Sequence, residues 1–271
     1  MYTPEDLQIQ LEAFGRHFPN YLFDDPYTGK TLIAVPRDRV KYAVRPQQAL
    51  QSLLEEKTLD PLEATAIRLV HALSKHSNVA VEDFGIHGSL SLRMHQDFSD
   101  IDLTVHGGNL YRKVHNTIDI LAKQGALKIL DSEKNDAFRK NKGVFENRRF
   151  VVNAIRSPEE VTEKYGQFHF HPLGHISFTA MVTNDEESHF KPAIYHIDDF
   201  VSGTELRATQ RPRFVISMVS QYRGLVRQGY RMKGEGQLES AEEIRGRESF
   251  TQVIIGTGDI QHREYLYSLY A

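Results

Sequence analysis

Asp100 and Asp102, separated by one apolar residue in Asp100-Ile101-Asp102, are the pair in this chain whose type and spacing are best suited to chemistry. In an extended strand, side chains two positions apart share a face. Both carboxylates therefore project one way while Ile101 and Leu103 enter the core. Two carboxylates held side by side repel one another and raise a pKa unless a cation joins them. Hard oxygen ligands facing one way suit Mg²⁺, or Mn²⁺ in its place, an ion that takes one or two protein carboxylates and completes its shell with water and phosphate oxygens. Asp100 and Asp102 are the candidate metal-binding and catalytic residues.

Upstream, Gly88-Ser89 falls where a strand predicted over residues 79–86 gives way to a short helix running to Met94. Glycine lets the backbone approach a ligand closely, and Ser89 with the free N–H groups of a helix start can hold phosphate oxygens. Ten residues separate Ser89 from Asp100. The combined pattern resembles the nucleotidyltransferase superfamily that includes DNA polymerase β, the tRNA CCA-adding enzymes and the antibiotic nucleotidyltransferases. Its signature is a Gly followed by Gly or Ser, a spacer of similar length, and two acids flanking an apolar residue. The resemblance covers about residues 65–155.

That resemblance implies transfer of a nucleoside monophosphate from a nucleoside triphosphate to an acceptor hydroxyl of a nucleic acid, protein or small molecule, with release of pyrophosphate. Gly88 and Ser89 would bind the nucleotide through its β- and γ-phosphates, and Asp100 and Asp102 a divalent metal bridging to the α-phosphate. His87 stands where an apolar residue is commoner, and with His95 it flanks the candidate site. Members of the superfamily add a third carboxylate on a later strand. The strand predicted over 149–155 offers Asn153 there, and an amide is a poorer ligand; Glu146 and Asp131 are the nearest acids. Two readings follow, an active Mg²⁺-dependent nucleotidyltransferase or a nucleotide- or nucleic-acid-binding regulatory module that keeps the fold without catalysis.

The elements that must position these residues follow from periodicity. Apolar residues at spacings of three and four, Leu50, Leu53 and Leu54, then Leu62, Ala66, Leu69, Val70 and Leu73, predict two helices, the second opened by Asp60-Pro61. Residues 101–105 predict a strand. Val114, Ile118 and Leu121 give one face of a further helix over 110–124, ended by Gly125. Strands are expected at 126–131 and 149–155 with a polar loop between them. Beyond Ser157-Pro158, strand-like runs recur at 167–170, 176–182, 194–197, 213–219, 222–226 and 252–256. The expected class is α+β, a mixed α/β order in three parts. These are an N-terminal helix and extended arm over 1–47, a nucleotidyltransferase-like domain over 48–165, and a β-rich barrel or sandwich over 166–271. Gly29-Lys30-Thr31 resembles the end of a phosphate loop but lacks the earlier glycine and a strong preceding strand.

Charge is segregated along the chain. Its 33 Lys and Arg against 36 Asp and Glu give a net −3, which excludes a protein that coats nucleic acid by overall charge. Yet Arg207, Arg211, Arg213, Arg223, Arg227, Arg231 and Lys233 follow one another without an acid, interleaved with Phe214, Tyr222 and Tyr230. That run reads either as a contact surface for RNA or DNA or as a solvated barrel face. Arg148 and Arg149, with Arg139, Lys140 and Lys142, read as a triphosphate or acceptor clamp or as a charged loop. Among 13 histidines, His169, His171 and His175 are close enough in sequence to suggest a metal site. With no cysteine, disulfides, thiolate metal sites and a cysteine nucleophile are excluded. No apolar stretch approaches the ~18 residues of a membrane span, and the polar start lacks signal-peptide features. A cytoplasmic protein with no membrane partner is expected.

Overall fold

Local chemistry places the helices. The computed structural model describes residues 4–130 and 140–269. Its helices are α1 (Pro4–His17), α2 (Pro46–Leu54), α3 (Pro61–Ser77), α4 (Gly88–Ser91) and α5 (Gly108–Lys123). At the start of α3 the Asp60 carboxylate accepts from the Leu62 and Glu63 N–H groups, and Glu63 reaches back to the Asp60 N–H. Pro61 fills a first-turn position that needs no donor. Asn78, in the left-handed region at φ 55°, ends the helix. Leu50, Leu53, Leu62, Ala66, Leu69, Val70 and Leu73 are buried as their spacing predicts; each leucine or valine contributes about 1.5–3 kcal/mol by leaving water.

The strands are β1 (Leu22–Asp25), β2 (Lys30–Ile33), β3 (Phe84–Ile86), β4 (Ile101–His106), β5 (Lys128–Ile129), β6 (Lys142–Phe145), β7 (Arg148–Ile155), β8 (Phe168–Asn184), β9 (Ala193–Ser202), β10 (Phe214–Ser217), β11 (Arg231–Glu243), β12 (Ser249–Ile255) and β13 (Tyr265–Ser268). The chain divides into two units, Tyr42–Val161 and the combination of Met1–Lys41 with Thr162–Ala271.

In the unit Tyr42–Val161, five strands run in the order β3-β4-β7-β6-β5. β3 is antiparallel to β4, and β4 is parallel to β7. On one face Ile101, Leu103, Val105, Phe150 and Val152 are fully buried; on the other Asp102 and Asn153 are partly open, while Thr104, against Gly85, is buried as well. The start of α2 lies over Gly85, where a Cβ would meet Pro46 at 2.6 Å. β6 and β7 are joined by Glu146-Asn147, both in the left-handed region at φ 46° and 64°, a pattern suited to a tight hairpin turn.

The other unit is a closed five-stranded barrel. β8, β9, β10, β12 and β11 follow one another round it, and the β12–β11 pairing completes the circle, with β13 added along β11. Only the β10–β12 pair is parallel among these pairings. The barrel choice is therefore made, and the class is α+β as expected.

Several expectations change. The N-terminal residues do not stand apart as a 1–47 segment, and the divisions fall at 41 and 161 rather than 47 and 165. The Tyr165 hydroxyl donates to Asp25, the Phe170 N–H donates to the Tyr27 carbonyl, and the Tyr27 ring packs on Tyr165 and His169, so the arm belongs with the barrel. Residues 222–226 are not a strand. Tyr222, Leu225 and Val226 are buried in a turn because the Tyr195 hydroxyl donates to the Tyr222 carbonyl and accepts from the Leu225 N–H. The runs 167–170 and 176–182 are one strand, β8, with an irregularity where Pro172 and Gly174 face Glu239 and Leu238. The strand expected over 79–86 is only Phe84–Ile86, preceded by a turn of 3-10 helix at Val81–Asp83.

Candidate functional site

The antiparallel register of β3 against β4 brings the end of one strand to the start of the other. Ile86 pairs with Leu103, and the His87 N–H donates to the Asp102 carbonyl at 2.8 Å. Gly88 follows at φ 65°, a conformation that favours glycine. A Cβ on Gly88 would lie 2.3 Å from Oδ2 of Asp102. The glycine is thus required twice, by its backbone angle and by the carboxylate against it. Behind it, α4 is closed by a bond from the Met94 N–H to the Ser89 carbonyl and by Ser91 Oγ donating to the Gly88 carbonyl. Sequence reasoning placed Gly88, Ser89, Asp100 and Asp102 together. The structure brings Gly88 and Asp102 into direct contact, with Ser89 and Asp100 beside them in sequence.

The carboxylates differ in environment. Asp100 is exposed, and Asp102 is half-buried. Burial pushes the Asp102 carboxyl above its ordinary range; His87 beside it opposes that shift and the Asp100 charge adds to it. This is the condition in which a cation would be favourable: two like charges at the rim of a sheet, one of them partly desolvated.

The parallel register of β4 with β7 fixes what stands across from them. Asp102 pairs with Val151 and Ile101 with Phe150, so Arg149 is level with Asp100. Asn153 does share the Asp102 face, but it pairs with Thr104, one step further along. Among the described residues, no third histidine or carboxylate joins Asp100 and Asp102 in a group within 4.8 Å. Glu146 lies in the turn just before β7 and is engaged by Arg68 of α3 at 2.6 Å, through two guanidinium nitrogens. Asp131 and Arg139 lie outside the described residues. Arg148 donates to the Asp97 carbonyl and so braces the loop that leads into Asp100. Lys140 is paired with Asp119 at 3.0 Å.

Over 280 aligned positions the chain is 26% identical to an uncharacterized protein of Methanocaldococcus jannaschii, across 96% of this chain and 80% of that protein. No family model matches the chain, and no solved structure matches it.

The remaining candidates separate. His95 is not at the carboxylate pair: its Nε2 lies 2.5 Å from Oδ2 of Asp60, which ties the 92–99 loop to the start of α3. The tip of that loop carries Phe98, 85% exposed. A cavity of about 370 Å³ beside α4 is lined by Arg45, Leu53, Glu63, Ile86, Leu90 and Arg93, and it does not include either aspartate. A second, of about 660 Å³, sits at the far end of β4 and β7 between His106, Asp83, Arg156 and Glu160. Sequence reasoning missed it, although His106 continues the alternation of Asp102 and Thr104. Burial pushes the His106 imidazole below its ordinary range, with Asp83 opposing.

In the barrel unit the acid-free run is not acid-free in space. Arg231 pairs with Asp199, and Arg213 with Glu248 at 3.4 Å. Arg213 also lies over the Phe214 and Phe250 rings. Arg223 Nε donates to the Ser220 carbonyl, Tyr222 is buried, and Arg227 is exposed. The three histidines of β8 divide. His169 stacks on His171 with centroids 6.1 Å apart, whereas His175 faces His262, Glu235 and Glu264. No helix of the described residues is long and apolar enough to cross a membrane.

Proposed function

We propose that the Gly88–Asp102 site binds a nucleoside triphosphate with Mg²⁺, or Mn²⁺, and transfers its nucleoside monophosphate to an acceptor hydroxyl, releasing pyrophosphate. The observation that carries this reading is the lack of a side chain at Gly88, whose bare backbone has the Asp102 carboxylate lying directly against it. A bare backbone pressed against a metal-binding acid suits a phosphate that must reach the backbone and the metal together. The donor set also fits: two carboxylates and no sulfur, with burial and the Asp100 charge pushing the Asp102 carboxyl up, an effect that a cation would offset. Bound there, a divalent ion supplies charge neutralisation on the phosphoryl oxygens and alignment for in-line displacement.

In this reading Asp100 and Asp102 hold the ion, and Gly88 and Ser89 offer N–H and hydroxyl donors to the β- and γ-phosphates. His87 adds a donor beside Asp102. The exposed Phe98 ring, two residues before Asp100, offers a face on which a base can stack. Incubating the protein with Mg²⁺ and each α-³²P-labelled triphosphate, with RNA and with cell extract as acceptors, is expected to transfer label. Asp100→Asn with Asp102→Asn is expected to abolish that transfer. Label appearing equally with the double variant overturns the site.

The register of β7 favours a second reading. With Arg149 and Val151 opposite the aspartates, the acid that would activate an acceptor hydroxyl has no place on that strand. A nucleotide-binding regulatory module would need the first ion but not that acid. Calorimetry distinguishes the two: binding of a Mg²⁺-bound triphosphate without turnover on any acceptor selects the regulatory reading. RNA or DNA contact through Arg223 and Arg227 is a separate expectation, tested by salt-sensitive binding that Asp100→Asn leaves unchanged.

A further inference from the structure

His175 stands on β8 just after Gly174, with only 10% of its side-chain surface exposed. Neither ring nitrogen has a hydrogen-bond partner. Both nevertheless face carboxylates: Nδ1 is 3.7 Å from Oε1 of Glu235, and Nε2 is 3.5 Å from Oε1 of Glu264. A second imidazole, His262, stacks on the first with centroids 4.4 Å apart. Asp259 Oδ2 lies 2.7 Å from His262 Nδ1. Ligand atoms of His175, Asp259 and His262 all fall within 4.8 Å of one another. An imidazole buried with both nitrogens unpaired costs free energy, and carboxylates at these distances are too far to recover it by hydrogen bonding. A cation at one nitrogen, with the other donating its N–H to the facing carboxylate, would satisfy both.

We propose that His175, Asp259 and His262 form a binding site for a first-row divalent cation, zinc foremost. Two imidazoles and one carboxylate are the ligand types zinc takes when no thiolate is present, whereas Mg²⁺ and Ca²⁺ prefer oxygen alone. Three protein ligands leave a fourth position open to water or to a bound group. Glu264 is already fixed for the supporting role of orienting a ligating histidine. Its Oε2 accepts from the Gly256 and Thr257 N–H groups at 2.6 and 2.7 Å, and its Oε1 accepts from the Thr257 hydroxyl at 2.5 Å. Such partners set a ligating histidine's tautomer and ring orientation.

The ion would join the barrel wall to the segment that carries Asp259 and His262. Tetrahedral bonds of about 2.1 Å space ligands about 3.4 Å apart, so the Asp259–His262 contact opens slightly on binding. His262, which is exposed, tilts out of the stack to aim a nitrogen at the ion. The other three-residue group among the described residues, Asp60, Glu63 and His95, has both its acids committed to the α3 cap, whereas Asp259, whose Oδ1 accepts from the Gln261 N–H and whose Oδ2 meets His262, sits in a loop.

The test uses the untagged full-length protein, stripped with a chelator and dialysed against micromolar free zinc. Elemental analysis is expected to find about one zinc per chain. His262→Ala and Asp259→Asn are each expected to weaken zinc binding by about tenfold or more. His262 is exposed, so its variant keeps the fold, checked by circular dichroism, and loses the zinc-induced rise in Tm that the parent shows. The Asp100→Asn, Asp102→Asn double variant retains the zinc. Zinc absent from the parent protein, retained by both barrel variants, or lost with the Asp100 and Asp102 changes overturns the proposal.

Discussion

Oδ2 of Asp102 occupies the space that a side chain on residue 88 would need, 2.3 Å from where a Cβ on Gly88 would sit. Residues 14 apart in sequence are thereby locked into one feature, because the β3–β4 register and the positive φ of Gly88 act on the same pair. Neither residue can change without the other registering it.

Gly88→Ala is expected to destabilise the protein through two separable effects. The left-handed backbone costs a non-glycine residue about 1–2 kcal/mol, and displacing the Asp102 carboxylate adds to it. In an Asp102→Ala background only the backbone cost remains, since the Asp102 Cβ is an ordinary 3.4 Å away. Urea denaturation of the four proteins in the cycle should give a coupling energy of about 0.5–3 kcal/mol. A cycle that closes to zero would show that the carboxylate is not what residue 88 meets.

Asp102→Asn is expected to make the metal-free protein more stable, by about 1 kcal/mol, while removing Mg²⁺-dependent binding of a triphosphate. The carboxylate is half-buried next to Asp100, and burial has already pushed its pKa up. An amide of the same shape removes that repulsion. A site that keeps its charge at the expense of stability is one held for a ligand. Denaturation in the presence of a chelator checks the first part, and calorimetry the second. A variant less stable than the parent would mean that Asp102 is a structural acid.

The candidate site is legible because its signal is local. Gly88, Ser89, Asp100 and Asp102 lie within one stretch, and the two-residue alternation that carries Asp102 also buries Ile101, Leu103 and Val105. What stands opposite was not legible. The polarity of Asn153 points to it as the third position, but the β4–β7 register, which pairs Asp102 with Val151, is set by tertiary packing. The barrel hid its strands in the same way. β11 reads Arg-Met-Lys-Gly-Glu-Gly-Gln-Leu-Glu-Ser-Ala-Glu-Glu, with Gly234 and Gly236 at buried positions. There a Cβ would meet the Tyr265 carbonyl at 2.8 Å and the Ile254 carbonyl at 2.4 Å. Close approach of neighbouring strands demands glycine, which removes the apolar pattern by which a strand is recognised. His175 found its neighbours 84 to 89 residues away, at Asp259, His262 and Glu264, beyond any local pattern.

Glu146→Gln is expected to leave any Mg²⁺-dependent transfer within about threefold of the parent. Its carboxylate is bound by Arg68, whose hydrogen bonds hold it below the ordinary glutamate range. It is a brace between the β6–β7 turn and α3 rather than a third ligand. Val151→Asp makes the complementary change, placing an acid in register with Asp102. If acceptor activation limits the protein, that variant should transfer label faster. A large loss in Glu146→Gln, measured as kcat/KM for the labelled triphosphate, would return Glu146 to the metal site.

Acid should loosen the barrel unit through Asp25. The residue is buried, and although burial alone would push its carboxyl up, the Thr28 hydroxyl, the Tyr27 N–H and the Tyr165 hydroxyl all donate to it and bring it below the ordinary aspartate range. The folded state therefore holds its proton less readily than the unfolded chain does. The stability this confers is complete above the unfolded aspartate pKa of about 3.9. It is lost as pH falls from there through the depressed folded value. Asp60 and Asp119 are depressed as well and act in the same direction on the unit Tyr42–Val161. Asp25→Asn should thus reduce, without abolishing, the fall in urea midpoint between about pH 5 and pH 3, and Tyr165→Phe should reduce it less, because the donors from Tyr27 and Thr28 remain. A parent and an Asp25→Asn protein with superimposable acid limbs would show that the hydrogen bonds to Asp25 do not favour its charged form.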